Sequence, residues 1–323
     1  MKVVFVASGN KSVGCVSSFV RSQFESLKAQ GLDMVLFPVV GKGWKGYFSN
    51  ISKLRKLIKE EKPDLIHAHY STCGVLASLA TRKPIVTSIL GSFPNPKSLK
   101  VKRVRFFVKH IWKQTIVKSQ RTANQLGIEG IHVIPNGVNL DQFKLYDQTE
   151  MRWELGFLDD KKYVIWCSNP SRVEKRYELA QKAVEQLYDD SVVLLPVFDH
   201  THDEVVKYMC AADVLLMTSF SEGSPNVIKE AMACNCPIVS TDVGDVKERL
   251  KNLEGCYVID AEPSYSDLQP EIGQLVPCLT KALSFGSRTK GRERLIRDGI
   301  TSEQIAMKLI GVYNLIKNNH VTK

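Results

Sequence analysis

The sequence predicts an α/β fold of two doubly wound domains in series. Three observations point there. Strand-length apolar runs alternate with helix-length amphipathic stretches, and the alternation begins a second time near residue 163. The 323 residues are too many for one ordinary core and suit two domains of about 150. The composition is globular, with 44% hydrophobic and 24% charged residues, 20 Gly and 13 Pro, which excludes collagen-like and wholly disordered chains. The expected domains are 1–145 and 146–301, followed by a closing helix at 302–323.

The first half opens with a buried strand at 3–7. A polar, glycine-containing loop at 8–14 follows, then an amphipathic helix at 16–30 closed by Gly31. A strand at 34–39, a helix at 51–60 with Leu54 and Leu57, and a strand at 64–69 after Pro63 come next. A short helix at 74–80 leads to a strand at 85–88. Crossovers in such a sheet are right-handed. A strand at 132–134 ends in the turn Pro135-Asn136-Gly137, and the polar run to 150 reads as a linker. In the second half, strands at 164–167, 192–197, 214–217, 238–240 and 257–259 alternate with helices at 177–187, 204–211, 227–234 and 246–250. A loop at 261–270 precedes the last helices, at 272–283 and 302–318.

Forty-four Lys and Arg against 34 Asp and Glu leave a net charge of +10, so polyanionic partners must be weighed. The stretch 97–121 holds nine of these cations and no Asp or Glu, interleaved with Val104, Phe106, Phe107, Val108, Ile111 and Trp112. It reads either as a basic amphipathic helix on an anionic membrane or as a domain helix with a buried stripe and a solvated basic face. No stacking pattern or Cys/His module supports nucleic acid. No segment approaches the ~20 apolar residues of a membrane span. The start of the chain reads as a strand rather than a signal peptide. Eight Cys, mostly in apolar runs, read as buried thiols in a reducing compartment. Cys234 and Cys236 form half of a metal site with no second pair at ligand spacing. The expected location is the cytoplasm, with the inner face of the plasma membrane as the surface a basic helix would meet.

Open parallel sheets bind ligands beyond the carboxyl ends of their strands, and two such domains facing one another make a cleft. Four post-strand loops are therefore candidates. The loop 8–14, ending at Gly14, brings backbone N–H groups near a phosphate or sugar, or is a simple tight turn. It lacks both GxGxxG and the P-loop ending. The loop 168–175 offers Arg172 and Lys175 as cations for a diphosphate, or as solvated charges. The third is Ser219-Phe-Ser-Glu222-Gly223-Ser224-Pro225-Asn226, leading into Glu230. A helix starting at Pro225 or Asn226 leaves amides for an oxyanion, with Pro acceptable in the first turn. Glu222 and Glu230 suit two pairs of vicinal hydroxyls on an extended ligand. The alternative is N-terminal acidity favoured by the helix dipole, which explains Glu222 poorly. The fourth is Asp242-Val-Gly244-Asp245, where Gly244 permits close backbone approach. His67 and His69 share one strand face, as a metal pair without a third ligand or as polar lining.

These motifs resemble the retaining, nucleotide-sugar-dependent glycosyltransferases of family 4, with the two-lobed GT-B fold. The likeness rests on HVIPNGVNLDQF at 132–143, SEGSPNVIKEAMACNCPIVSTDVGD at 221–245 with its two glutamates, KPDLIHAHYS at 62–71, and the terminal helix through Tyr313. It implies an acceptor-binding first domain, a nucleotide-sugar-binding second domain, and a last helix that braces the first. It assigns Glu230 to the donor ribose, Glu222 to the transferred sugar, Lys175 to the diphosphate, and the backbone of Gly223 to Asn226 to sugar and phosphate. Asn169 stands where the family carries Arg, so either Arg172 substitutes or diphosphate binding is weakened. Leu90 replaces a His. Asn235 replaces a Gly and tolerates positive φ.

The implied reaction is hexosyl transfer, with retention, from a UDP- or GDP-sugar to a hydroxyl acceptor. The acceptor is a sugar or is lipid-linked, as in surface polysaccharide or lipopolysaccharide synthesis. No cofactor or metal is expected, since cations would hold the diphosphate and no Asp-x-Asp pair is present. The alternatives are a non-catalytic partner subunit of a polysaccharide assembly complex, or a nucleotide-sugar epimerase or hydrolase on the same fold.

Overall fold

The computed structural model describes residues 1–10, 14–41, 43–91, 93, 95, 97–260 and 268–321. Residues 11–13 of the first candidate loop, Ser92, residues 261–267 of the loop read at 261–270, and the last two residues of the closing helix lie outside the described residues. The chain divides into two compact units, Met1–Gly137 with Ser302–Lys323, and Val138–Thr301.

In the first unit the elements run β1 (Lys2–Ser8), α1 (Ser18–Ala29), β2 (Asp33–Val39), α2 (Gly43–Glu61), β3 (Leu65–His69), α3 (Ser71–Ala80), β4 (Ile85–Ile89), α4 (Leu99–His110), β5 (Gln114–Val117), α5 (Gln120–Leu126) and β6 (His132–Val133). The strands form one parallel sheet in the order β2-β1-β3-β4-β5-β6. Val3, Val4, Phe5 and Val6 of β1 are fully buried, as a central strand covered on both faces requires.

The stretch 97–121 is not one helix. α4 ends at His110, and Gln114–Val117 enters the sheet as β5, where Thr115, Ile116 and Val117 are buried between β4 and β6. Burial of this β-branched run outweighs the helical look of its basic flanks. Ser98 caps α4 by accepting from Val101 N.

The second unit follows as α6 (Gln148–Glu154), β7 (Lys162–Trp166), a 3-10 turn (Val173–Lys175), α7 (Tyr177–Glu185), β8 (Val192–Pro196), α8 (His202–Ala211), β9 (Val214–Met217), α9 (Asn226–Ala233), β10 (Ile238–Thr241), α10 (Val246–Leu250), β11 (Cys256–Ile259), α11 (Gln269–Ser284) and α12 (Gly291–Arg297). Its parallel sheet has the order β11-β10-β9-β7-β8. Counted from its own first strand, this is the order of the first five strands of the first sheet. Residues 138–145, read as part of a first domain and linker, pack in this unit instead. Val138 N donates to Ile300 O at 3.1 Å, and Arg292 donates to the carbonyls of Leu140 and Phe143 at 2.9 and 2.6 Å. Arg288 satisfies the ends of α8 and α9 by donating to Met209 O, Ala212 O and Cys234 O at 2.7, 2.7 and 2.9 Å.

The last helix, α13 (Ser302–Val321), returns to the first unit. Ile305, Leu309, Val312 and Tyr313 share a core with Phe5, Val20, Phe24 and Leu27.

Candidate functional site

In a sheet of this order, the chain reverses its direction of winding between the first and third strands, and the crevice there receives ligands. In the second unit that place lies between β7 and β9. The post-β7 segment is tied to the end of β9 at several points. Thr218 Oγ1 donates to the carbonyls of Lys175 and Arg176, both at 2.9 Å, and accepts from Trp166 Nε1 at 3.0 Å. Phe220 N donates to Glu174 O at 2.9 Å. These bonds bring Lys175 Nζ onto Glu222 Oε1, an ion pair whose side chains are 16% and 20% exposed. The two residues lie 47 positions apart and come from loops on adjacent strands.

The loop after β9 is held from beneath. Gly223, Ser224 and Pro225 are buried, whereas Asn226 and Val227 are half-buried. α9 begins at Asn226, and Pro225 is its N-cap rather than a first-turn residue. Pro225 has no side-chain oxygen with which to cap this end. Gly244, at φ +62°, passes under the loop: a Cβ there would stand 2.6 Å from Gly223 O. Only glycine suits both the left-handed backbone and that approach. Ser224 points inward, donating to Asp245 Oδ2 at 3.0 Å and accepting from Lys229 Nζ at 3.0 Å. Arg249 Nε donates to the same Asp245 oxygen at 2.9 Å. Thus Ser224 leaves only its backbone for a ligand.

Lys229 is the residue that sequence reasoning missed. It is 2% exposed, and desolvation, helped by Arg249, pushes its ammonium down to about 8 against the pull of Asp245, Glu230 and Glu222. Its signal was a lysine among the apolar positions of Asn-Val-Ile-Lys-Glu-Ala-Met-Ala. Glu230, next to it, is half-buried, and desolvation pushes its carboxyl up to about 7, opposed by the Lys229 charge. Cys167 follows β7, and burial plus the Glu230 charge raise its thiol.

Other candidates fall elsewhere. Arg172 is 54% exposed and is bound to Glu174, whose carboxyl is lowered by backbone hydrogen bonding and by that guanidinium. Asn169 is exposed and closes its own turn, accepting from Ser171 N and Oγ at 2.9 and 2.7 Å. Gly14 belongs to the first unit, at φ +83°, and donates to Gly9 O at 3.0 Å. Asn235 does adopt positive φ, at +54°, and accepts from Arg292 N at 2.8 Å. His67 and His69 are core groups rather than a metal pair. Their rings stack at 4.4 Å, and His67 bonds Tyr313 OH at 2.6 Å and Ser88 Oγ at 2.8 Å. Burial, aided by the Lys118 charge, holds both well below the usual histidine range. Among the described residues no three His, Cys, Asp or Glu side chains converge as metal ligands. No described helix is long and apolar enough to cross a membrane.

The arrangement offers a cation, two carboxylates and a helix start, suited to an oxyanion flanked by hydroxyls. Comparison with known proteins places the chain in a family. The sequence model of Glycosyltransferase Family 4 matches residues 13–142, and that of Glycosyl transferases group 1 matches residues 158–275. TuaC of Bacillus subtilis, a glycosyltransferase named for teichuronic acid biosynthesis, is 28% identical over 215 residues, covering 57% of this chain and 54% of TuaC. N-acetyl-alpha-D-glucosaminyl L-malate synthase of Bacillus anthracis is 23% identical over 249 residues, covering 65% of this chain and 64% of that one. The chain thus spans under two thirds of the length of these curated relatives. Its fold matches that of HepE of Anabaena, solved in complex with UDP-glucose, with a TM-score of 0.73 at 15% identity over 97% of this chain and 99% of that chain. The chain belongs to the glycosyltransferases of family 4 and group 1, on the GT-B fold.

Proposed function

We propose that this chain moves a hexosyl group, with retention, from a UDP- or GDP-sugar to a hydroxyl on a lipid-linked acceptor in surface polysaccharide or lipopolysaccharide assembly. The observation that carries the reading is the Lys175–Glu222 pair between β7 and β9, beside the start of α9. In the reaction, the bond from the sugar's anomeric carbon to the diphosphate breaks, a bond to the acceptor oxygen forms, and the acceptor's hydroxyl proton passes to the departing diphosphate oxygen. The leaving diphosphate gathers negative charge. Lys175 and the backbone N–H groups of Gly223, Ser224 and the first turn of α9 meet that charge with groups already in place, so little reorganisation is needed. Glu222 orients Lys175 before the donor binds and accepts from sugar hydroxyls when the diphosphate takes the ammonium. Glu230 accepts from the ribose hydroxyls. The buried Lys229–Ser224–Asp245 network acts through the loop, as positioning residues. One feature supports the acceptor class, the basic face of α4, suited to an anionic membrane surface, and the likeness to TuaC, named for teichuronic acid biosynthesis, supports a role in polymer synthesis.

The test is a mass-spectrometric screen of UDP- and GDP-sugars against lipid-linked acceptors, with the anomeric configuration of the product read by NMR. A mass gain of one hexose on an acceptor, with the donor's configuration kept, is expected. Donor consumption without any acceptor would contradict the reading.

A further inference from the structure

A second feature lies wholly within the first unit. A cavity of about 410 Å³ opens among α2, α3 and α4. That volume lies within the ~300–1,000 Å³ of pockets that hold ligands. Leu76 and Val104 line it as buried groups, 3% and 5% exposed, while Phe48 and Leu79 line it at 50% and 45% exposure. Its walls are apolar apart from a few hydroxyls and two exposed cations, Lys100 and Arg103. On α4 the lining positions 100, 103, 104 and 107 recur at helical spacing, so one helix face carries both the charges and the apolar contacts. Arg55 Nη2 donates to Leu79 O at 2.7 Å and ties α2 to the end of α3.

The charge around this cavity has one sign. Through α2 as far as Lys59, all of α3 and all of α4, the sequence contains no Asp or Glu. Lys45, Lys53, Arg55, Lys56 and Lys59 stand on α2, and Lys100, Lys102, Arg103, Arg105 and Lys109 on α4. α4 also exposes Leu99 and Phe106, at 70% and 54%, side chains suited to the interfacial layer of a bilayer.

We propose that this cavity takes one hydrocarbon chain of an anionic membrane lipid, with Lys100 and Arg103 on the lipid phosphate. The chain removes apolar wall from water, which a free phosphate cannot do. The phosphate answers the unbalanced cations, which an uncharged amphiphile cannot do. The occupant is therefore both apolar and anionic. The site needs only α2, α3 and α4, and goes beyond sugar transfer: its occupancy is read without turnover, so its failure would leave the transfer reading standing.

The experiment uses the full chain and short-chain lipids below their micelle concentration. Dihexanoyl phosphatidylglycerol, dihexanoyl phosphatidylcholine and glycerol phosphate are titrated in turn by calorimetry. One phosphatidylglycerol per chain is expected, bound about tenfold or more tighter than phosphatidylcholine, with no binding of glycerol phosphate. Val75→Trp fills the cavity and keeps every cation, and it is expected to weaken the lipid about tenfold or more. Leu79→Glu puts a carboxylate at an exposed lining position and tests the same point if Val75→Trp does not fold. Absence of lipid binding, equal binding of the two lipids, glycerol phosphate binding as tightly as the lipid, or unchanged affinity in the folded variants would overturn the proposal.

Discussion

The two sheets share one order over five strands, yet the groups that their inner strands bring together differ in kind. On the paired strands β1 and β3 of the first unit stand Phe5, His67 and His69, with ring centroids 4.4 to 4.9 Å apart. The histidines are buried and kept neutral, and Tyr313 of α13 closes one of them off. Between β7 and β9 of the second unit stand a lysine and a glutamate that remain partly exposed, over a buried network of further charge. Topology places the same two strands side by side in both units. Side chains decide whether their neighbourhood is a neutral ring cluster on the sheet face or a charged pair in the loops beyond it.

Breaking the charged crevice should have the largest effect. Lys175→Ala leaves Glu222 without its cation and a bound diphosphate without a counter-charge. The expected loss is about a hundredfold in donor affinity, ~3 kcal/mol, read by calorimetry. Gly244→Ala attacks the support beneath. It combines a positive φ with the 2.6 Å approach to Gly223 O, and should cost about 3 kcal/mol in urea unfolding. The buried ring cluster should respond in stability instead. Tyr313→Phe removes the bond to His67 and should lower stability by about 1.5 kcal/mol while donor affinity stays the same.

Acidity separates the regions further. The Glu230 carboxyl, raised to about 7 in the fold, contributes stability that is full below its ordinary 4.5 and is lost as pH rises through about 7. The Lys229 ammonium, lowered to about 8, contributes stability that is full above 10.5 and is lost as pH falls through about 8. Both groups are mainly ionised only between these two values. If ionised Glu230 accepts from the ribose, donor affinity should fall about tenfold between pH 8 and pH 6, ~1.4 kcal/mol. Glu230→Gln should flatten that profile. The smallest effect is expected at Arg172. Its exposed pair with Glu174 makes Arg172→Ala a change within ~0.5 kcal/mol in stability.

Much of this was legible in the sequence because buried parallel strands are continuous apolar runs. β5 was not, since the four residues Gln114–Val117 lie among cations that give the whole stretch a helical pattern. α12 went unread between two loops, and residues 138–145 read as linker because their anchor, Arg292, is remote in sequence. At the site, positions 175 and 222 were singled out as post-strand residues, but their contact depends on β7 and β9 being neighbours, which no local pattern states. Lys229 was hidden differently. A lysine one residue before a glutamate on a helix reads as part of a solvated face, and only the close passage of Gly244 and Asp245 under the loop gives it a buried partner in Ser224. Conversely, His67 and His69, which the sequence left as either a metal pair or polar lining, stand as buried groups, with His67 bonded to Tyr313 and Ser88.

The most direct measurement is calorimetric titration of UDP-glucose and GDP-mannose into the full chain at a pH between the Glu230 and Lys229 values, with Lys175→Ala beside it and circular dichroism as the check on folding. The account predicts one donor bound per chain for one of the two nucleotides, and a roughly hundredfold weaker complex in the folded variant. Absence of binding by either nucleotide sugar to the folded protein, or equal affinity in Lys175→Ala, would contradict it.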